Sequence, residues 1–128
     1  MDFKDLMPNL MVKDVGKTVD FYKNVLGFNV LATVPENGPF VFAMVNANSV
    51  IISFQEEKSI KEEYPQLENF SQGGCLTLYI HVTNVNKLYE KVKGKAKIAK
   101  EVHKTPQGST DFAIEDCNGY ILTFAQQD

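Results

Sequence analysis

Chemistry at neutral pH needs groups whose protonation can change there, and the sequence offers two imidazoles, His81 and His103, with two thiols, Cys75 and Cys117. Glu101, Asp111 and Glu115 lie close to His103 along the chain. A histidine with a nearby carboxylate can serve as a metal-independent general base, because its unperturbed pKa is near neutrality. His103 and Asp111 are therefore the candidate catalytic pair, and His81, His103 and a carboxylate are the candidates for an unconventional metal site. The plainer alternative for each histidine is a solvated side chain at a strand end. The cysteines have neither metal-site spacing nor the density of a disulfide framework, so they read as reduced thiols.

The rest of the chain must position these groups. Its 128 residues are ample for one compact core and short for two independent ones. A hydrophobic content of 44% with a formal charge of −3 is ordinary for a soluble globular domain and disfavours a nucleic-acid surface. No apolar run approaches a membrane span, and MDFKDLM lacks the pattern of a signal peptide, so the expected location is the cytoplasm. The lysine-rich run KVKGKAKIAK, 91 to 100, reads as a solvated face.

The organising feature is a duplication. FAIEDCNGYILTF, Phe112 to Phe124, echoes FAMVNANSVIISF, Phe42 to Phe54, without a gap, and each copy is two apolar runs around a turn-forming centre, as in a β-hairpin. The same offset aligns Leu10 to Lys17 with Ile80 to Lys87. Each module reads as strand, helix, strand, hairpin. In the first, a strand over Leu6 to Val12 leads to a helix capped by Asp14, with Val15, Val19, Tyr22 and Leu26 on one stripe and Gly27 closing it. A strand from Phe28 to Val34, the turn PENGP and the first hairpin follow. In the second, a strand over Cys75 to Val82, an Asn84-capped helix to Val92, a strand from Lys97 to His103, a loop over Thr105 to Ser109 and a hairpin to Ala125 repeat the order. The domain layout is thus module one over about 5–55, a charged linker at 56–72, and module two over about 73–126.

Strand parity assigns the faces. Phe42, Met44, Ile52 and Phe54, like Phe112, Ile114, Leu122 and Phe124, are expected to pack under the helices. Ala43, Ile51 and Ser53, like Ala113, Ile121 and Thr123, take the opposite, smaller and more polar face. In the opening strands, Met7, Asn9 and Met11, and Thr77, Tyr79 and His81, share that face. Most phenylalanines, including Phe3 and Phe42, read as core. Tyr79 instead offers a ligand both an apolar ring and a hydroxyl.

The pattern NLMVKDVGKTVDFYKNVLGF at 9–28, the doubled β-α-β-β-β order and the closing FAIEDCNGYILTF resemble the vicinal-oxygen-chelate superfamily of glyoxalase I, bleomycin-resistance proteins, fosfomycin-resistance enzymes and extradiol dioxygenases. The resemblance implies an α+β fold in which two paired modules form a curved mixed sheet with a concave cleft, often assembled as a homodimer. It also implies metal ligands, His, Glu or Gln, seven residues before each helix-capping residue and four after the hairpin glycine. Those positions here are Met7, Thr77 and Thr123, with Ser53 following from the repeat. None is a usual ligand for a divalent metal, and substituting Cys75 for Thr77 by a register slip would supply one thiolate only. No metal and no cofactor are expected.

The bleomycin-resistance members of this superfamily also lack the metal and hold a ligand in a groove. The leading reading is thus a protein that binds a small organic molecule, with Met7, Asn9, Ser53, Thr77, Tyr79, His103, Ala113, Ile121 and Thr123 as candidate ligand-binding residues. A shallow groove in a weakly acidic protein would favour a cationic or amphipathic guest. By alignment to the fosfomycin-resistance enzymes, His103 and Asp111 fall near substrate-facing positions. Two alternatives stand beside this reading: a divalent-metal enzyme with atypical ligands, and a scaffold whose groove takes a protein partner. Nucleic acid and membrane are not expected partners; a homodimer is.

Overall fold

The structure, a computed structural model, describes residues 1–128. It divides into two compact units, 1–72 and 73–128, each with one four-stranded mixed sheet.

In the first unit, β1 (Asn9–Val12) leads into α1 (Val15–Asn24), and β2 (Asn29–Val34), β3 (Phe42–Ala47) and β4 (Val50–Glu56) complete a sheet in the order β1-β4-β3-β2. Helix α1 starts where Asp14 accepts a hydrogen bond from the Lys17 amide at 3.0 Å, satisfying one of the donors that a first helical turn leaves open. Val15, Val19, Tyr22 and Leu26 are buried, the stripe that the spacing predicts. Gly27, at φ 78, turns the chain out of the helix, and the Phe28 amide reaches back to the Tyr22 carbonyl. Tyr22 is fully buried with Phe28 and Phe54 around its ring, so helix and sheet share one aromatic cluster.

The segment expected as a linker holds a further helix, α2 (Glu57–Glu63), and a single 3-10 turn at Pro65–Leu67. Ile60 is the buried residue of α2, which packs against β1 and β4. One apolar residue among charges leaves no periodicity to detect.

The second unit repeats the plan as β5 (Thr77–His81), α3 (Val85–Val92), β6 (Lys97–Lys104), β7 (Ser109–Glu115) and β8 (Ile121–Gln127), in the order β5-β8-β7-β6. Asn84 caps α3 through the Lys87 amide, as Asp14 caps α1. Phe112, Ile114, Leu122 and Phe124 are buried on the helix side, as parity predicts.

In the first unit the parity expectation fails for one strand. Ala43 and Val45 are fully buried on the helix side, paired with Phe54 and Ile52, whereas Phe42 and Met44 lie on the opposite face, across from Gln55 and Ser53. The cause is loop length. Ser53 and Thr123 keep equivalent places, across from Asn9 and Tyr79, but Met44 partners Ser53 while Ala113, not Ile114, partners Thr123. The second hairpin holds one residue more between equivalent pairs: 116–120 lie inside Glu115 and Ile121, against 47–50 inside Asn46 and Ile51. A shift of one residue moves a whole strand's side chains to the other face. The short turn is closed by Asn48 at φ 52, a conformation that asparagine tolerates. The longer one is closed by Asp116, whose carboxylate accepts from the Asn118 and Tyr120 amides at 2.8 and 2.9 Å. Phe3, also expected in the core, is exposed.

Candidate functional site

The sheet face away from the helix, here called the open face, carries the candidate site residues of both units. In the first unit it is closed by its own polar groups. Asn9 donates to Gln55 Oε1 at 2.9 Å, and the Ser53 hydroxyl lies 2.9 Å from Asn9 Oδ1 and 3.2 Å from the Pro8 carbonyl. Gln55 Nε2 then donates to Ser59 Oγ at 3.0 Å and Glu63 Oε1 at 3.1 Å, which ties the face to α2. Ser53 is fully buried, Asn9 exposed, and Met7 is exposed ahead of β1. The partner of Ser53 is Asn9, so Met7 stands two residues earlier along the strand direction.

In the second unit the open face is less covered. Thr77, Tyr79 and His81 are exposed, Ile121, Thr123 and His103 are half-buried, and Ala113 is buried. The register places His81, Ala125, Asp111 and His103 in one row across the four strands. The sequence-derived pair is thus brought together, His103 directly across from Asp111. The Asp111 carboxylate, only 5% exposed, is engaged by other groups: Ser109 Oγ donates to Oδ1 at 2.7 Å and the Tyr79 hydroxyl donates to Oδ2 at 3.3 Å. Thr105 Oγ1 lies 2.8 Å from Ser109 Oγ and extends the chain. To reach Asp111, the Tyr79 side chain crosses β8 where its open-face residues are Thr123 and Ala125. Its ring stands edge-on to that of His81, with centroids 5.3 Å apart.

His103 Nδ1 is 2.8 Å from the Glu101 carbonyl, which can only accept, so that nitrogen carries the proton and Nε2 is the basic position of the neutral ring. The sequence suggests a loop over Thr105 to Ser109, which hides both hydroxyls; Ser109 instead belongs to β7, where Ser-x-Asp spacing puts it on the face of Asp111. Glu115, another candidate carboxylate, is paired with Lys97 at 3.0 Å.

The residues present at the superfamily's metal positions do not fit a divalent ion. Met7 offers a thioether, Thr77 and Thr123 hydroxyls, and Ser53 a hydroxyl already placed between two oxygen acceptors. No three His, Cys, Asp or Glu side chains are grouped to hold an ion. The exposed thiols Cys75 and Cys117 stand outside the row just described. Elsewhere in the first unit, a cavity of about 330 Å³ opens at the start of α1 between Lys13, Asp14, Val15, Gly16, Gly38, Pro39, Phe40 and Glu56; none of the candidate site residues lines it. No helix is long and apolar enough to cross a membrane.

Comparison with solved structures bears out the α+β fold of two β-α-β-β-β modules. TioX from Micromonospora sp. ML1 shares 18% identity over 98% of this chain and 100% of its own, with a TM-score of 0.78. SA1046, a hypothetical protein from S. aureus, shares 21% identity over 98% of this chain and 95% of its own, with a TM-score of 0.77. The bleomycin-binding protein of bleomycin-producing Streptomyces verticillus, solved with copper(II)-bleomycin, shares 21% identity over 100% of this chain and 99% of its own, with a TM-score of 0.70. Curated protein sequences give no match. With residues 6–124 matching the family profile and the doubled module in place, the chain belongs to the Glyoxalase/Bleomycin resistance protein/Dioxygenase superfamily.

Proposed function

We propose that this protein binds a small organic molecule on the open sheet face without a metal ion. The observation that carries the reading is Ser53: at a position where the superfamily's enzymes place a metal ligand, its buried hydroxyl is built into a neutral network with Asn9 and Pro8. A carboxylate or imidazole converging on an ion would have to break that network. The Streptomyces bleomycin-binding protein, of the same fold, supports the reading by analogy.

In this reading Thr77, Tyr79, His103, Ile121 and Thr123 of the second unit meet a ligand above the buried Ala113. Met7, Asn9 and Ser53 are the corresponding candidates on the first unit's own open face. The homodimer that the superfamily resemblance implies is part of the same proposal. Titration of chelator-free protein with nickel, zinc and manganese should give no stoichiometric binding, and thermal-shift screening with small amphipathic compounds should raise the melting temperature. One ion per site at micromolar or better affinity would overturn the reading and return the chain to the metal-dependent enzymes.

A further inference from the structure

Resting on the small-molecule reading, the hydrogen-bond polarity of the second unit's open face narrows the class of ligand. A phenol has one proton to donate, and that of Tyr79 points to Asp111 Oδ2. Ser109 donates to the other carboxylate oxygen, so Asp111 is held as an acceptor of two hydroxyl protons and the phenol cannot turn to donate elsewhere without leaving it. With that proton engaged, the Tyr79 oxygen has only lone pairs to offer a ligand, and the residue, ring included, is 53% exposed. A carboxylate immediately behind the phenol adds negative potential at the same point.

The charges around this point are of both signs. Lys100 and the Lys97–Glu115 pair belong to β6 and its neighbour β7, with β6 at the far edge of the sheet from β5, which carries Tyr79. His81 packs edge-on to Tyr79, and His103 faces Asp111 from β6. Asp111 is the one carboxylate hydrogen-bonded to the phenol. Groups that approach Tyr79 from β8 are Thr123 and Ala125, which are small and uncharged. The site therefore offers acceptor atoms, an aromatic face and a buried negative charge in one place, the combination that suits an N–H donor bearing positive charge.

We infer that the open face of the second unit recognises a protonated amine, with Tyr79 accepting its N–H group and Asp111 and Ser109 acting as positioning residues that fix the direction of the phenol. The test uses three probes of one shape on the full-length protein: 3-phenylpropylammonium, 3-phenylpropan-1-ol and 3-phenylpropanoate, each titrated while the amide and methyl resonances of Thr123 and Ala125, beside Tyr79 on β8, are followed by NMR. The ammonium is expected to bind about tenfold more tightly than the carboxylate, the size of one charge-assisted hydrogen bond, with the alcohol between them. Tyr79→Phe keeps the ring and removes the acceptor, so the ammonium should weaken about fivefold or more while the carboxylate is unmoved. Asp111→Asn should collapse the ammonium preference to within about twofold; Tyr79→Phe keeps the test open should that variant fail to fold. Equal affinities for the three probes, or an ammonium preference that survives Tyr79→Phe, would overturn the inference and leave the small-molecule reading standing. No saturable shift with any probe would overturn the site itself.

Discussion

Phe42 and Phe112 occupy the same place in the ungapped repeat but opposite faces of their sheets, and truncating each to alanine separates the two accounts. Phe112 is fully buried, with Tyr89 edge-on at 5.3 Å and Phe124 at 5.2 Å between ring centroids. Its removal takes away the transfer energy of a whole aromatic side chain and leaves a sealed cavity beside two other rings, for a cost of about 3–5 kcal/mol. Phe42 is half-buried on the open face across from Gln55, so its removal loses part of that area and seals no cavity; about 1–2 kcal/mol is expected. The two variants should then differ by roughly 2 kcal/mol, or about 1 M in urea midpoint for a slope near 2 kcal/mol per M. The assay is urea unfolding followed by far-UV circular dichroism, compared where the slopes of the variants agree. Equal midpoints for the two variants would refute the one-residue slip and restore Phe42 to the helix side.

At Gly73, a methyl group would sit 2.7 Å from the Asn118 carbonyl oxygen with φ at +82, whereas at Gly94, with φ at +81, it would meet nothing within 4 Å. Gly73→Ala should therefore cost clearly more than Gly94→Ala, which carries only the backbone penalty of roughly 1 kcal/mol; similar unfolding midpoints would contradict the close approach of these two turns. Hydrogen bonding from Lys104, then from Thr110, holds the Asp128 carboxyl below its ordinary value of 3.8. A lowered folded-state value means that the contribution is present above the ordinary pKa and disappears as pH falls through the lower one. In an NMR titration Lys104→Ala should raise the Asp128 midpoint toward 3.8, and an unmoved midpoint would count against the Lys104 contact.

Much of the fold was legible because several local signals agreed. Asp14, the stripe from Val15 to Leu26 and Gly27 each mark α1 independently, and the structure uses all three. The face of β3 was not legible, because identity at Phe42 and Phe112 suggests equivalence while face is set by the pairing register. That register depends on one residue of loop length, which a gapless alignment conceals. The juxtaposition of His103 and Asp111 depends on two register shifts in β6, between Ile98 and Lys100 and between Lys100 and His103, which strand order and parity do not reveal. The direction of the Tyr79 phenol could not be reached, since it depends on which hydroxyl protons Asp111 accepts.

The duplication also shows how one scaffold position acquires two uses. Asn9 and Tyr79 are equivalent, as are Ser53 and Thr123, and Gln55 and Ala125. In the first unit the three side chains are amides and a hydroxyl of complementary polarity, and they satisfy one another: Ser53 to Asn9, Asn9 to Gln55, Gln55 onward to α2. Such a face has few donors or acceptors left to recognise a guest. In the second unit the Gln has become Ala125 and the Asn has become Tyr79, so no amide remains to close the network across β5 and β8. The vacated width is what lets the tyrosine cross β8 to the carboxylate on β7. Restoring bulk there therefore acts against Tyr79 rather than against the core. In the proposed small-molecule reading, recognition therefore rests on the second unit's open face, while the polar groups of the matching face of the first are engaged with one another.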